Sequence, residues 1–192
     1  MFLNSLSEPN LKKFSDWVQS LFGYGVNINR KSNHISINLK YENDDVNVID
    51  TGYGVSQILP VLGQVWWAKN RPVRNLYFTK KTTIVAVEQP ELHLHPAHQA
   101  LLADAFVSGV KSEGKSEDID VSYIIETHSE ALINRLGELI YEGCFNENDV
   151  QILIFDQDDI DKNKTIVKES YFDSKGILQN WPFGFFTPEV RL

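Results

Sequence analysis

"TTIVAVEQPELHLHPAHQ", Thr82 to Gln99, is the stretch on which the reading of the fold turns. Its first half is a continuous apolar run ending in polar residues, the pattern of a parallel strand buried on both faces. Its second half leads into "PAHQALLADAFVSGV", a helix with Pro96 at its start, where the missing N–H leaves nothing unsatisfied. A strand that delivers a carboxylate, Glu88, to its C-terminal end is one unit of an open α/β sheet, and such sheets bind ligands along that edge.

Downstream the unit repeats. "DVSYIIE" reads as a second buried strand, carrying Glu126, Thr127 and His128 toward what is expected to be the same edge. "THSEALINRLGELIYEG" reads as a helix with Leu132, Ile133, Leu136 and Leu139 inward, and Thr127 and Glu130 stand at capping-box spacing. Upstream, Leu11, Phe14, Trp17, Val18 and Leu21 repeat at helical spacing from about Asn10 to Gly23. "VNINR" and "HISINLKY" then alternate as a hairpin with one solvated face. After "NVIDTGYG", Ile58, Leu59, Leu62, Val65 and Trp66 mark one face of a helix whose first turn is expected to accommodate Pro60, with Gly52 and Gly54 just before it. "VQILIF", "KTIVKESYF" and the aromatic tail "WPFGFF" close the chain. Alternating strands and helices predict a layered α/β domain.

The composition limits what such a domain does. The 192 residues are 42% hydrophobic and carry a formal net charge of −8, enough for a real core and contrary to bulk electrostatic coating of nucleic acid. One cysteine, Cys144, excludes an intramolecular disulfide and a cysteine zinc cage. No apolar run approaches the roughly 18 residues of a membrane span, and the N-terminus lacks signal-peptide character. The expectation is a cytoplasmic protein with no membrane partner.

"GVKSEGKS", Gly109 to Ser116, fits the phosphate-loop pattern G-x-x-x-x-G-K-[ST] at every fixed position. That pattern works only when a strand precedes the turn and a helix begins at its Lys-Ser end. Here a helix precedes it and a strand follows. It is read as a surface connection.

Three other motifs, taken in order, carry a resemblance from about Asn10 to the end of the chain. The sequence resembles the ABC/SMC-like branch of P-loop ATPases, in particular the AAA-family ATPases related to OLD and RecF-like proteins. "GYGVSQILPV" is similar to the ABC signature S-x-G-x-x-Q, with Gly52 where serine is usual, then Gly54 and Gln57. "IVAVEQPELHLHP" resembles Walker B plus D-loop, which implies Glu88 as the Mg²⁺ carboxylate and places His95 in the D-loop. "ETHS" resembles the switch strand, with His128 sensing the γ-phosphate, and "DSKGILQNWPFGFF" looks like the ending of this subgroup. The fold implied is a P-loop NTPase-type, ABC-ATPase-like sheet with helices, of which the chain is the C-terminal lobe. Within it, 10–48 would supply a helix and hairpin, 49–145 the signature helix, Walker B and switch strands, and 146–192 a β-rich tail.

The resemblance implies ATP and Mg²⁺ as cofactors, homodimerisation on ATP, and DNA or an effector protein as partner, with DNA repair or phage defence as the setting by analogy. Backbone N–H groups from Gly52 through Gly54 to Val55, with Ser56 and Gln57 following, open a helix and form an anion site; by resemblance they reach ATP bound to a second protomer. Two departures matter. Position 89 is Gln where the family usually has the glutamate that polarises water; Gln orients a water but cannot take its proton, and Glu91 is the candidate substitute. No Walker A lies upstream of Glu88, so the triphosphate cradle is expected on an N-terminal half or another polypeptide, and the chain alone is expected not to turn over ATP.

Other readings stand beside this one. Glu91, His93, His95 and His98 have the makings of a metal site, although "LHLHP" equally puts Leu92 and Leu94 in the core. "DQDD", Asp156 to Asp159, after a strand, invites a Toprim-like nuclease reading with two Mg²⁺. A non-catalytic interaction module is the third.

Overall fold

Pro9 and Gly23 bracket the first long helix, each for a backbone reason. α1 (Phe2–Ser5) precedes α2 (Glu8–Phe22), where proline sits in the first turn. Gly23 ends α2 in the left-handed conformation, φ 78°, its N–H donating to the carbonyl of Gln19. Phe14, Val18 and Phe22 are the buried residues of the α2 stripe.

The computed structural model describes residues 2–31, 34–42, 44–70, 81–110, 119–158 and 161–182. They belong to two units, residues 1–131 and 132–192.

In the first unit, β1 (Gly25–Lys31) and β2 (His34–Lys40) form the expected antiparallel hairpin, with Val26 opposite Leu39. A third strand, β3 (Asp45–Asn47), extends it. Val26, Ile28 and Leu39 are buried on one face while Asn27 and Lys40 are exposed on the other, so alternation sorts the two faces. α3 runs from Tyr53 to Asn70, which places Pro60 inside the helix and Gly54 in its first turn. Both positions correct the sequence expectation. A proline there withdraws the N–H that would meet the carbonyl of Ser56, a loss the packed face of Ile58, Leu59, Leu62 and Val65 absorbs.

β4 (Lys81–Glu88), α4 (Pro96–Val110) and β5 (Ile119–Glu126) follow, the two strands parallel and in register. Both α3 and α4 pack on this strand pair. Tyr123 lies 5.2 Å from the Phe106 ring, its hydroxyl reaching the carbonyl of Val65, and burial pushes its phenol up. Gly109 makes room for that hydroxyl. Burial also raises Tyr24 to about 12, with Tyr41 adding to it. Trp66 meets Phe14 edge to face, as its place on the apolar face of α3 leads one to expect.

The strands were expected to be buried on both faces. They are not: Ile84 and Ile124 are 64% and 63% exposed, along with Thr82, Ala86, Ser122 and Glu126 on the same face. The reason is topological. Among the described strands β4 and β5 pair only with each other, and the described helices against them cover Val85, Val121 and Tyr123 on the opposite face.

In the second unit, α5 (Glu130–Tyr141) buries Leu132, Ile133, Leu139 and Ile140. Leu136 is half-buried. β6 (Ile152–Gln157), β7 (Thr165–Phe172) and β8 (Leu178–Gln179) form an antiparallel sheet. Gly137 and Gly176 come so close that a Cβ on either would strike the other's carbonyl. No helix among the described residues is long and apolar enough to cross a membrane.

Candidate functional site

The register of β4 on β5 puts Glu88 directly opposite Glu126 at the C-terminal ends of both strands. Both carboxylates are exposed. Facing partners in a parallel pair project to the same side, so two hard oxygen donors stand at the edge where α/β sheets bind ligands. Exposed carboxylates with room for water suit Mg²⁺, which keeps most of its hydration shell.

Beyond Glu88 the chain makes a tight turn. Gln89 and His93 both take left-handed backbone, φ 43° and 62°, which favours glycine. The Gln89 N–H donates to the carbonyl of Glu126 at 2.8 Å, continuing the ladder one residue past the strand. Leu92 and Leu94 N–H groups close the turn onto the carbonyls of Gln89 and Glu91. Leu94 is buried, Leu92 half exposed.

Glu91 does not face solvent. It is 6% exposed, and its Oε1 accepts the backbone N–H of His128 at 2.6 Å; its Oε2 is buried with no hydrogen-bond partner among the described residues. Gln99 makes a second tie: its Nε2 donates to the carbonyl of Leu94 at 3.0 Å and its Oε1 accepts from the Ser129 hydroxyl at 2.7 Å. Thr127 was expected to open a capping box with Glu130. Instead its Oγ1 accepts the N–H of Ser129, because α5 begins only at Glu130 and leaves residues 127–129 as a loop. His128 itself is exposed.

The tip of α3 reaches the same turn. Gly52 precedes it with φ 91°, exposed, its missing Cβ facing open space. A Cβ on Gly54 would come within 2.6 Å of the His93 carbonyl oxygen and 3.1 Å of Leu94, so only glycine lets the helix sit this close. Tyr53 stacks edge-on against His93 at 5.4 Å. Val55 and Ser56 are half-buried, the Ser56 hydroxyl donating to the Tyr53 carbonyl, and Gln57 is exposed.

Thus the α3 tip touches the turn after β4, and that turn holds the loop after β5. The histidines are spent separately. His93 meets Tyr53, His98 lies 6.3 Å from the Phe22 ring, and His95 caps α4, its Nδ1 accepting the Ala97 N–H at 3.2 Å. Among the described residues no group of three His, Cys, Asp or Glu is arranged to hold a metal. Asp156 is ion-paired with Lys168 at 2.8 Å, and this partner, with the Gln157 N–H, holds its carboxyl below the usual range. Asp159 lies outside the described residues, as do residues 111–116 of the phosphate-loop match; helix α4 stands before them and strand β5 after. A cleft of about 340 Å³ lined by Lys13, Trp17, Trp66 and Lys69 lies toward the far end of α3 and is separate from this edge.

Sequence reasoning missed Gln99 and Ser129. Their tie spans 30 residues, and no local spacing encodes it.

A family model described as an AAA ATPase domain matches residues 3–133, the span holding every element of this edge. No curated protein sequence matches the chain. Among solved structures, the chain is similar to one from work on ATP-driven dimerisation and DNA-stimulated activation of SMC ATPases, with TM-score 0.56 and 15% identity, covering 84% of this chain and 83% of that one. It is also similar to an SmcHead bound to the C-winged helix domain of ScpA, with TM-score 0.52 and 11% identity over 84% of this chain and 42% of that one. At these identities the likeness is one of fold: the α/β, P-loop NTPase-type architecture of SMC heads.

Proposed function

The chain belongs to the AAA ATPase domain family, and on that premise we propose that it forms the signature, Walker B and switch lobe of an ABC/SMC-like ATPase. Membership implies nucleotide use, usually with Mg²⁺. In this reading Glu88, with Glu126 beside it, holds a hydrated Mg²⁺, which supplies charge neutralisation on a triphosphate. Gln89 orients the attacking water. His128 hydrogen-bonds the γ-phosphate from the loop after β5. The N–H groups at the α3 tip, Gly52 to Val55, with Ser56 and Gln57 behind them, receive the phosphate of ATP held by a second protomer, and His95 lies on the D-loop between the two sites.

The triphosphate cradle comes from a Walker A-bearing N-terminal half or subunit. The exposed apolar face of β4 and β5, on which Glu88 also lies, supports this. Parallel strands are ordinarily covered on both sides, so a completing layer belongs there. ATP-dependent homodimerisation, action on DNA or an effector protein, and a place in DNA repair or phage defence follow by analogy with SMC-like proteins. The isolated chain is proposed to be inactive.

The observation that carries the reading is the facing of Glu88 and Glu126 at one ligand-binding edge. Glu88→Ala in the complete protein, Walker A half included, should abolish Mg²⁺-dependent ATP turnover. Unaltered turnover would remove the assignment.

A further inference from the structure

Glu91 is a buried acid whose chemistry the proposed reaction does not use. A base that takes a proton from water must reach that water, and Glu91 is 6% exposed with Oε1 occupied by the His128 N–H. Burying a carboxylate for one hydrogen bond is unfavourable, the more so when Oε2 has no partner among the described residues. What the arrangement gains is connection. The carboxylate projects from the turn that begins at Gln89 and ends at the α4 cap, and it grips the backbone of the residue proposed to meet the γ-phosphate. Two left-handed non-glycine residues, Gln89 and His93, flank it, and strained turns of this kind persist only where surrounding contacts fix them.

We propose that Glu91 is a positioning residue that latches the switch loop at His128 to the turn carrying Glu88 and Gln89, and that it is not the general base. The N–H···O bond to Oε1 is short enough to fix where the His128 backbone sits. The Gln99 bridge from the Leu94 carbonyl to Ser129 runs alongside and sets the separation of the same two segments. The proposal rests on the ATPase reading for its consequence in turnover. The latch itself does not.

The test compares wild type, Glu91→Gln and Glu91→Ala in the complete protein, with two measurements: ATP turnover, and amide hydrogen exchange across residues 127–129. Glutamine keeps a carbonyl acceptor where Oε1 stands, so Glu91→Gln should keep turnover within about threefold and leave exchange near wild type. Glu91→Ala should lower kcat on the order of tenfold or more, with KM for ATP little changed, and raise exchange by a comparable factor. If Glu91→Gln is as inactive as Glu91→Ala while exchange is unchanged, Glu91 is the base and the proposal is overturned. Wild-type exchange rates in Glu91→Ala overturn it too. Should Glu91→Ala unfold by circular dichroism, Glu91→Gln decides: retained turnover supports the latch, and lost turnover with unchanged exchange overturns it. If wild type itself fails to hydrolyse ATP, the ATPase reading falls, and the exchange measurement still decides whether the latch exists.

Discussion

Gln89 follows Glu88, the carboxylate proposed for Mg²⁺, with its backbone at φ 43° and its N–H bonded to the carbonyl of Glu126. The side chain therefore leaves from a fixed point, and its chemistry can be changed without moving that point. Gln89→Glu would add the proton acceptor that glutamine lacks. General bases contribute on the order of 10²–10⁴-fold, so steady-state turnover of the complete protein should rise at least tenfold; an unchanged rate would mean that position 89 does not face the water. Gly54 makes the opposite case, in which no side chain is tolerated. A Cβ there meets the His93 carbonyl oxygen at 2.6 Å, a backbone atom unable to swing away. Gly54→Ala should push the α3 tip off the turn and destabilise the fold by about 1–3 kcal/mol, read as a lowered midpoint in denaturant. An unshifted midpoint would show that the tip is not packed there.

The short turn between β7 and β8 shows how an element depends on one acid. Asp173 Oδ1 accepts the N–H groups of Ile177 and Lys175, and Oδ2 accepts Gln179 Nε2. The Ile177 N–H lowers its pKa most; desolvation opposes this, and the Lys175 N–H, the Gln179 side chain and the Lys175 charge lower it further, so the net shift is downward. A depressed folded-state pKa gives stability that is present above the unfolded value, about 3.9, and lost as pH falls through the lower folded value. The turn should therefore loosen only below about pH 4. Asp173→Ala should flatten that acid dependence when thermal unfolding is followed from pH 5 to pH 2; an unchanged acid slope would count against it. Elements of this kind differ in how well sequence reveals them. α2 and α4 were legible because Gly23 and Pro96 mark their ends chemically. The start of α3 was not, because Pro60 imitates a first-turn proline while packing carries the helix past it. β3 has only three residues, too few for alternation to register. At the candidate edge, strand patterning made Glu88, Glu126 and His128 readable as neighbours. The Glu91–His128 and Gln99–Ser129 bonds join residues 37 and 30 apart, where tertiary geometry alone decides the pairing.

At the scale of the whole molecule, the first unit carries a two-stranded parallel sheet with helices described on one face, and this is where the reading from sequence departed furthest from the fold. The apolar run of β4 was correctly a strand; it was read as covered twice because periodicity reports what a strand is suited to bury and not whether its cover lies in the same segment. Ile84 and Ile124 are therefore suited to a layer they do not meet, which yields a prediction separating assembly from folding. Side chains already in solvent can be replaced with changes typically within about 0.5 kcal/mol, so Ile84→Lys combined with Ile124→Lys should leave the thermal midpoint of this chain nearly unaltered. Two charges placed where an apolar layer is proposed to dock would be desolvated without partners. Copurification with the proposed Walker A-bearing half should fail, and ATP turnover with it. A doubly substituted chain that still assembles and hydrolyses ATP would show that the bare face is not where the enzyme is completed, and the cradle for the triphosphate would have to approach Glu88 along the strand ends instead.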